Sequence, residues 1–185
     1  MRKYINEIAN VITGYSFRKA INGYSSGISV FQAKNIESNL LFNNSFILPK
    51  TDLKPEKVQS YLIDGDIVIS SRGNFKASVF RSKERAIASS SIYIIRVFDD
   101  KILPEYLAMF LNSNEGQNQL NRLSRGGLIK TLLKKDLEII KFPIPPLENQ
   151  REIVNFYLDI KKEKDLYNRK SEIYTQIIDS TFNKN

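Results

Sequence analysis

The middle of the chain alternates short apolar runs with polar turns, a pattern typical of β-strands. In the sequence LIDGDIVISS at 62–71, Asp64 and Gly65 form a predicted turn before the β-branched run 67–69. Pro49 and Pro55 restrict the weaker strands near them to sheet edges or ends. The predicted strands lie at 28–31, 45–48, 67–69, 77–80 and 91–97.

A helical pattern begins at Pro104, which suits the first turn of a helix, and Glu105 suits the positive helix start. Apolar residues then recur mostly three or four positions apart to about Leu123, which predicts one amphipathic helix, weakened at Gly116. Further on, the three prolines of the segment FPIPPL at 142–147 cannot lie inside a helix and mark a predicted domain boundary.

From Glu148 onward the chain has no proline or glycine, and its apolar residues predict one long helix of about 50 Å. Because the rest of the chain is too small to bury so long an apolar stripe, part of it should pair with a second copy in a coiled coil or dock a partner subunit. The alternative is a helix folded back on its own domain. The predicted dimerisation residues are Ile153, Tyr157, Ile160, Tyr167, Tyr174, Ile177 and Ile178.

Together these patterns predict an α+β fold, with a globular mixed-sheet body at 1–147 and the long C-terminal helix at 148–185. The opening MRKYINEIANVITG is interpreted as an amphipathic start and not as a targeting peptide. No apolar run approaches the ~20 residues needed to cross a bilayer. We therefore expect a soluble, cytoplasmic protein with no membrane partner.

Composition narrows the chemistry open to this chain. It has no Cys and no His, which excludes thiol nucleophiles, imidazole bases and the usual structural zinc sites. The net charge of +8 lies entirely in the body, where residues 1–147 hold 21 basic and 13 acidic side chains. The remaining residues hold seven of each sign. Such an imbalance favours a polyanionic partner of the body, most economically nucleic acid.

Four polar loops of the body carry side chains suited to nucleic acid. Arg and Lys fit phosphates and guanine edges, Asn and Gln fit adenine edges, and the paired glycines at 126–127 let the backbone approach a phosphate. For each loop the alternative is a surface turn, strand end or helix cap. The candidate contact residues are Arg18 and Lys19; Gln32, Lys34 and Asn35; Arg72, Asn74 and Lys76; and Arg125 and Lys130.

Catalytic and metal-binding patterns are hard to find. Asp64 and Asp66 with the downstream Lys76 superficially resemble a metal nuclease, but a turn explains Asp64 better. The segment IPPL at 144–147 has the prolines of an amino-methyltransferase loop without its flanking residues, and no G-x-G-x-x-G occurs. We expect no enzyme activity, no cofactor and no metal site in this chain.

Several motifs in a fixed order carry a family resemblance. LIDGDIVIS is followed by LPEYLAMFLNS with Gln117 after it, then by a glycine-containing loop, and then by FPIPPLENQREIV at the start of the long helix. This succession resembles the specificity subunit of type I restriction-modification systems. The resemblance covers about 62–185, with looser similarity in GYSFR at 14–18 and VFQAKNI at 30–36.

The resemblance implies a binding protein. In that family each target recognition domain reads one half of a split double-stranded DNA target. The helices set the spacing and dock methyltransferase (modification) subunits, which would supply the methylation, and a restriction subunit completes the system. Family members usually carry two recognition domains, each followed by a long helix, and this sequence has one of each.

The chain thus resembles a half-subunit, which implies a homodimer that reads two identical, inverted half-sites. A partial specificity subunit that pairs with another specificity chain remains an alternative. A basic RNA-binding or protein-binding module is another.

Overall fold

The computed structural model describes residues 1–18, 27–36, 40–41, 48–52 and 60–182. Lys19 and most of the strand predicted at 45–48 lie outside these residues. In chain order the strands are β1 (Arg2–Tyr4), β2 (Ala9–Thr13), β3 (Ile28–Phe31), β4 (Lys50–Thr51), β5 (Tyr61–Leu62), β6 (Ile67–Ser70), β7 (Ala77–Val79), β8 (Ala86–Ala88), β9 (Ile92–Val97) and β10 (Lys141–Pro143). The α-helices are α1 (Pro104–Asn112), α2 (Asn114–Leu123), α3 (Lys134–Glu138) and α4 (Leu147–Phe182).

The centre of the body is an antiparallel sheet with the strand order β2-β9-β6-β7. Its middle strands are apolar on both faces, because each face is covered by another layer. Ile67, Ile69 and Ile95 belong to the core cluster beneath the helices. Val68 and Ile94, one position along, belong to a second cluster on the opposite face. This double burial explains why these strands are continuous β-branched runs in the sequence.

A second sheet, with the order β4-β3-β8-β5, covers that opposite face. It is mixed, since β3 pairs with β8 in parallel and the other two pairings are antiparallel. Phe31 and Phe80 meet edge to face between the layers, with ring centroids 6.0 Å apart. The α+β fold with its mixed sheet is therefore confirmed.

The helical segment that starts at Pro104 is two helices, not the single helix predicted. The chain turns at Ser113, whose Oγ accepts a hydrogen bond from the Gly116 N–H at 3.2 Å and so caps α2. The break thus lies three residues before Gly116, and α2 continues through this glycine. A Cβ added there would lie 2.1 Å from the Phe110 carbonyl oxygen, so the glycine lets α2 begin directly against α1.

The opening of the chain also differs from the predicted amphipathic start. Arg2–Tyr4 pairs in antiparallel fashion with Lys141–Pro143, and the Ile5 N–H donates to Ile140 O at 3.0 Å. Because this pairing joins segments far apart in the sequence, local periodicity carries no signal of it. The strands predicted at 28–31, 67–69, 77–80 and 91–97 are confirmed to within a residue or two.

The long helix α4 starts directly after the proline segment, and Gln150 fastens it to the body. Gln150 is fully buried. Its Oε1 accepts from the Leu103 N–H at 3.0 Å, and its Nε2 donates to Lys101 O at 2.8 Å and Pro145 O at 2.9 Å. These bonds give partners to the Leu103 N–H and the Lys101 carbonyl just before α1, and to the buried side-chain amide of Gln150.

Candidate nucleic-acid interface

Two of the predicted loops, 71–76 and 124–127, are joined by backbone hydrogen bonds. The Leu132 N–H donates to Ser71 O and the Gly73 N–H donates to Lys130 O, both at 2.9 Å. Thr131 in turn exchanges reciprocal hydrogen bonds with Arg125, at 2.7 and 2.9 Å. The structure thus places loops about 50 residues apart in sequence side by side.

The other two candidate loops continue the same edge of the body. The Ser71 N–H donates to Ser91 O, the Ser89 N–H donates to Phe31 O, and the Tyr15 N–H donates to Ala88 O, all at 2.7–2.9 Å. We call this surface the recognition edge. It comprises residues 15–18, 31–35, 71–76, 89–91 and 124–132.

The recognition edge is positively charged. Its segments contain no Asp or Glu. Its basic side chains all belong to exposed residues, namely Arg18, Lys34, Arg72, Lys76, Arg125 and Lys130. Charges of one sign on connected loops create a field that attracts a polyanion.

Not every candidate contact residue presents its side chain to solvent. Asn74 is exposed and Gln32 is half-buried. Asn35 is buried, and its Oδ1 accepts a hydrogen bond from the Gln32 N–H at 2.9 Å within the short 3-10 turn Ala33–Asn35. That bond fixes the turn that presents Lys34, so the Asn35 side chain has a structural role and is turned away from a ligand at the surface.

Asp136 approaches the edge from the start of α3. Its side chain is nearly buried, and its Oδ2 lies 3.7 Å from Arg125 Nη2. Tyr93, on β9, donates from its hydroxyl to Leu132 O at 2.9 Å, and burial raises the pKa of this hydroxyl. Tyr93 thus holds the base of the 124–132 segment and Asp136 lies beside Arg125, and sequence reasoning identified neither, because their roles arise from contacts across the fold.

The cationic surface extends beyond the recognition edge. Lys130 also borders an open cleft of about 950 Å³ whose lining includes Arg2, Arg122 and Lys141. The one carboxylate in this lining, Glu115, is ion-paired with Arg2, which lowers the pKa of that carboxyl group.

The acidic residues that superficially suggested a nuclease have structural partners. Arg96 donates from Nε and Nη2 to the two oxygens of the buried Asp66, at 2.8 and 2.7 Å. Asp64 pairs with Arg81 at 2.8 Å. In the part of the chain that the structure describes, no cluster of three or more His, Cys, Asp or Glu residues could hold a metal ion.

Beyond its first turns, helix α4 is exposed. Val154, Tyr157 and Leu158 pack against the body, whereas every residue from 162 to 182 is exposed. Tyr157 faces a cleft of about 580 Å³ next to Leu40 and Phe75, so it contacts its own domain, unlike the other predicted dimerisation residues. Those six exposed residues form what we call the helix stripe: Ile153, Ile160, Tyr167, Tyr174, Ile177 and Ile178.

Among the residues that the structure describes, no helix combines the length and the apolar character needed to cross a membrane.

The family model for the type I restriction modification DNA specificity domain matches residues 1–173. The chain belongs to this family. It is similar to the type I restriction enzyme MjaX specificity subunit of Methanocaldococcus jannaschii, with 26% identity over 66% of this chain and 30% of the relative. The family assignment confirms the prediction that the chain is a specificity component and not a catalytic subunit.

Solved structures show the same fold. The HsdS subunit from Thermoanaerobacter tengcongensis aligns with a TM-score of 0.62 and 21% identity, over 88% of this chain and 37% of that chain. A chain from a solved type I R-M system aligns with a TM-score of 0.65 and 22% identity, over 91% of this chain and 40% of that chain. The present chain therefore spans about 30–40% of the length of these relatives.

Proposed function

We propose that this chain is a sequence-specific DNA-binding component of a type I restriction-modification system and that the recognition edge contacts the duplex. The observation that carries the proposal is the convergence of four loops, distant in sequence, into one surface with six exposed basic residues and no acidic residue in its segments. Arg72, Arg125 and Lys130 would contact phosphates and guanine edges, while Asn74 and Gln32 would supply amides for adenine. Methylation and cleavage would be performed by methyltransferase and restriction subunits that the chain recruits.

The helix stripe is proposed to pair with a second copy of the chain. Ile153, Ile160, Tyr167 and Tyr174 lie seven residues apart, and all are exposed in the single chain. A seven-residue apolar repeat on a helix is satisfied by a second helix in a left-handed coiled coil. Exposure of large apolar side chains to water is unfavourable, and a continuous stripe of them therefore favours burial against a partner.

Charges between the apolar positions support an antiparallel arrangement. Glu163 and Lys170 lie where the repeat is interrupted. In an antiparallel pair centred between residues 166 and 167, Glu163 would lie opposite Lys170 of the second copy. In a parallel pair, Glu163 would lie opposite Glu163 of the second copy, which places two negative charges together. Antiparallel helices would hold the two bodies at opposite ends, related by a two-fold axis. The two half-sites would then be identical and inverted.

Pairing with a different specificity chain is the second candidate, because the same exposed helix stripe would serve it. Such a heterodimer would read a target whose halves differ in sequence. The RNA-binding alternative receives less support, since Phe75, one of the aromatic residues that could have stacked on bases, is buried in the core.

Light scattering of the purified chain tests the pairing. We expect a mass near twice 21.3 kDa that falls to the monomer value in Tyr167→Glu and Tyr174→Glu, because each places a charge in the apolar seam. Gln176→Glu adds the same charge outside the seam and should remain dimeric. A monomeric wild-type chain that dimerises only with another specificity chain would favour the heterodimer.

Selection of bound duplexes from a random pool tests DNA reading. Sequencing should return one enriched half-site in inverted repeat, and the Arg72→Ala/Arg125→Ala variant should lose the enrichment. Lys83→Ala removes an exposed cation from the turn between β7 and β8, at the other end of these strands, and should keep it. Absence of any enriched sequence with the dimeric wild-type chain would contradict the proposed function.

A further inference from the structure

The loop between Arg125 and Thr131 carries two bulky apolar side chains at its tip. Leu128 is fully exposed, with a relative exposure of 102%, and Ile129 is 64% exposed. Large neighbouring aliphatic residues at a loop tip are unfavourable in water and commonly mark a contact surface. We call Leu128 and Ile129 the apolar tip.

The base of this loop is held firmly although its tip is exposed. Arg125 and Thr131 close it with their two reciprocal hydrogen bonds, and Lys130 O accepts from the neighbouring loop. Gly126 has φ +105°, and a Cβ at that position would lie 2.7 Å from Ile129 O, so the turn requires glycine. A fixed base loses little conformational freedom when the tip enters a partner.

The electrostatic surroundings of the apolar tip identify the kind of partner. Residues 124–136 contain four basic side chains and one acidic one, Asp136, which pairs with Arg125 at 3.7 Å, and the adjoining loop adds Arg72 and Lys76. A partner must therefore offer both negative charge and an apolar surface within a few ångströms. Duplex DNA offers this combination where a base step opens, because phosphates border each groove and unstacking exposes the apolar faces of the bases between them.

We propose that the apolar tip acts as a wedge that enters a groove of the target duplex and partly unstacks one base step in each half-site. Arg125 and Lys130 hold the phosphates on either side of that step. This inference rests on the proposed function, since it requires the recognition edge to face DNA. It adds a contact that depends on how easily a base step opens, so the wedge would favour flexible pyrimidine–purine steps at the position it enters.

The test uses the chain of residues 1–185 and a duplex carrying the half-site obtained by selection. A fluorescent adenine analogue whose emission rises on unstacking replaces one base at a time along the site. We expect the emission to rise at one step per half-site with the wild-type chain. The Leu128→Ser/Ile129→Ser variant should lose the rise and bind the selected duplex about tenfold or more weakly, while its affinity for an unrelated duplex stays within about twofold of wild type.

Phe98→Ser is the matched control, because Phe98 is exposed and follows β9 at the end away from the recognition edge. This variant should keep both the emission rise and the affinity. The wedge is contradicted if the tip variant retains the emission rise, or if no position responds although the wild-type chain binds its site specifically. Unchanged DNA binding with lost association of methyltransferase subunits would assign the tip to a protein contact and also overturn the wedge. If the wild-type chain selects no sequence, the proposed function fails first, a result separate from these.

Discussion

At the scale of single residues, buried and half-buried polar side chains hold the body together and position its loops. Gln150, Asp66 and Tyr93 each satisfy backbone or charged groups that join segments far apart in sequence. A buried polar group with all its partners is stable, but removal of one partner leaves the others unsatisfied at a cost of about 1–3 kcal/mol each. These residues therefore have larger effects on stability than the exposed cations beside them.

The Gln150→Leu variant tests whether the hydrogen bonds of Gln150 anchor α4 to the body. The change keeps a side chain of similar size but leaves the Leu103 N–H and two carbonyl groups without their partner, so the free energy of unfolding should fall by about 2–4 kcal/mol. Urea denaturation measures this. Asn149→Leu, at the exposed neighbouring position, should change stability by less than about 0.5 kcal/mol, and equal losses in the two variants would contradict the anchor.

Tyr93 gives a prediction for alkaline pH. Burial raises its pKa, so the folded state favours the neutral hydroxyl that donates to Leu132 O. Its contribution to stability is complete below the usual tyrosine pKa, near 10, and is lost as pH rises through the higher folded value. Melting temperatures measured at increasing pH should fall more steeply for wild type than for Tyr93→Phe, whereas parallel curves would exclude this contribution.

At the scale of elements, only part of the apolar repeat of the long helix serves as a contact surface within the chain. Its first turns pack on α1 through Val154 and neighbouring residues, and the rest of the apolar repeat is exposed. The periodicity is the same in both parts. Only the position of the body decides which apolar residues are covered within the chain and which remain for a partner.

A charge-reversal series tests the orientation of the proposed helix pair. Glu163→Lys should weaken an antiparallel dimer because it opposes two lysines at two symmetry-related places, and Glu163→Lys/Lys170→Glu should restore it. Sedimentation equilibrium at low salt measures the dissociation constants. A parallel pair would respond little to either variant, since like charges face each other before and after the changes.

At the scale of the whole molecule, two parts of the chain have separate proposed roles. The recognition edge would determine which bases are bound, and the paired helices would set the distance between the half-sites. Seven residues inserted at the centre of α4 preserve the apolar repeat and lengthen the helix by about 10 Å. At roughly 3.4 Å per base pair, the spacer between the half-sites should grow by about three base pairs.

Selection from a random duplex pool measures the effect of this insertion directly. The enriched half-sites should keep their sequence, because the recognition edge is unchanged. Altered half-site bases with the original spacer would show that the helices do not set the distance. A chain with two inserted residues is the control, since it rotates the second part of the apolar repeat by about 200° to the opposite face of the helix and should lose the dimer.

Much of this architecture could be predicted from local pattern. The strands around Ile67 and Ile92 are β-branched runs, and the helix after the proline segment has an uninterrupted apolar period, so both were confirmed closely. The break at Ser113 was missed although residues 112–119 carry no apolar side chain and Ser113 is a favoured N-cap residue, so a local signal for two helices was present. The pairing of Arg2–Tyr4 with Lys141–Pro143 was missed because it depends on two distant segments meeting.

The sequence by itself determined the composition of the parts. It set the positive charge of the body, the absence of Cys and His, the apolar repeat of the last helix and the motif order that resembles the specificity family. These are properties of short segments or of counts, which do not depend on how the chain folds.

Only the tertiary structure decided that the four polar loops share one edge, that Asn35 is turned inward, and that Leu128 stands exposed among cations. The physical reason is that a surface is made by long-range backbone pairing. Hydrogen bonds from Tyr15 through Ser89 and Ser71 to Thr131 join residues whose proximity no local pattern encodes.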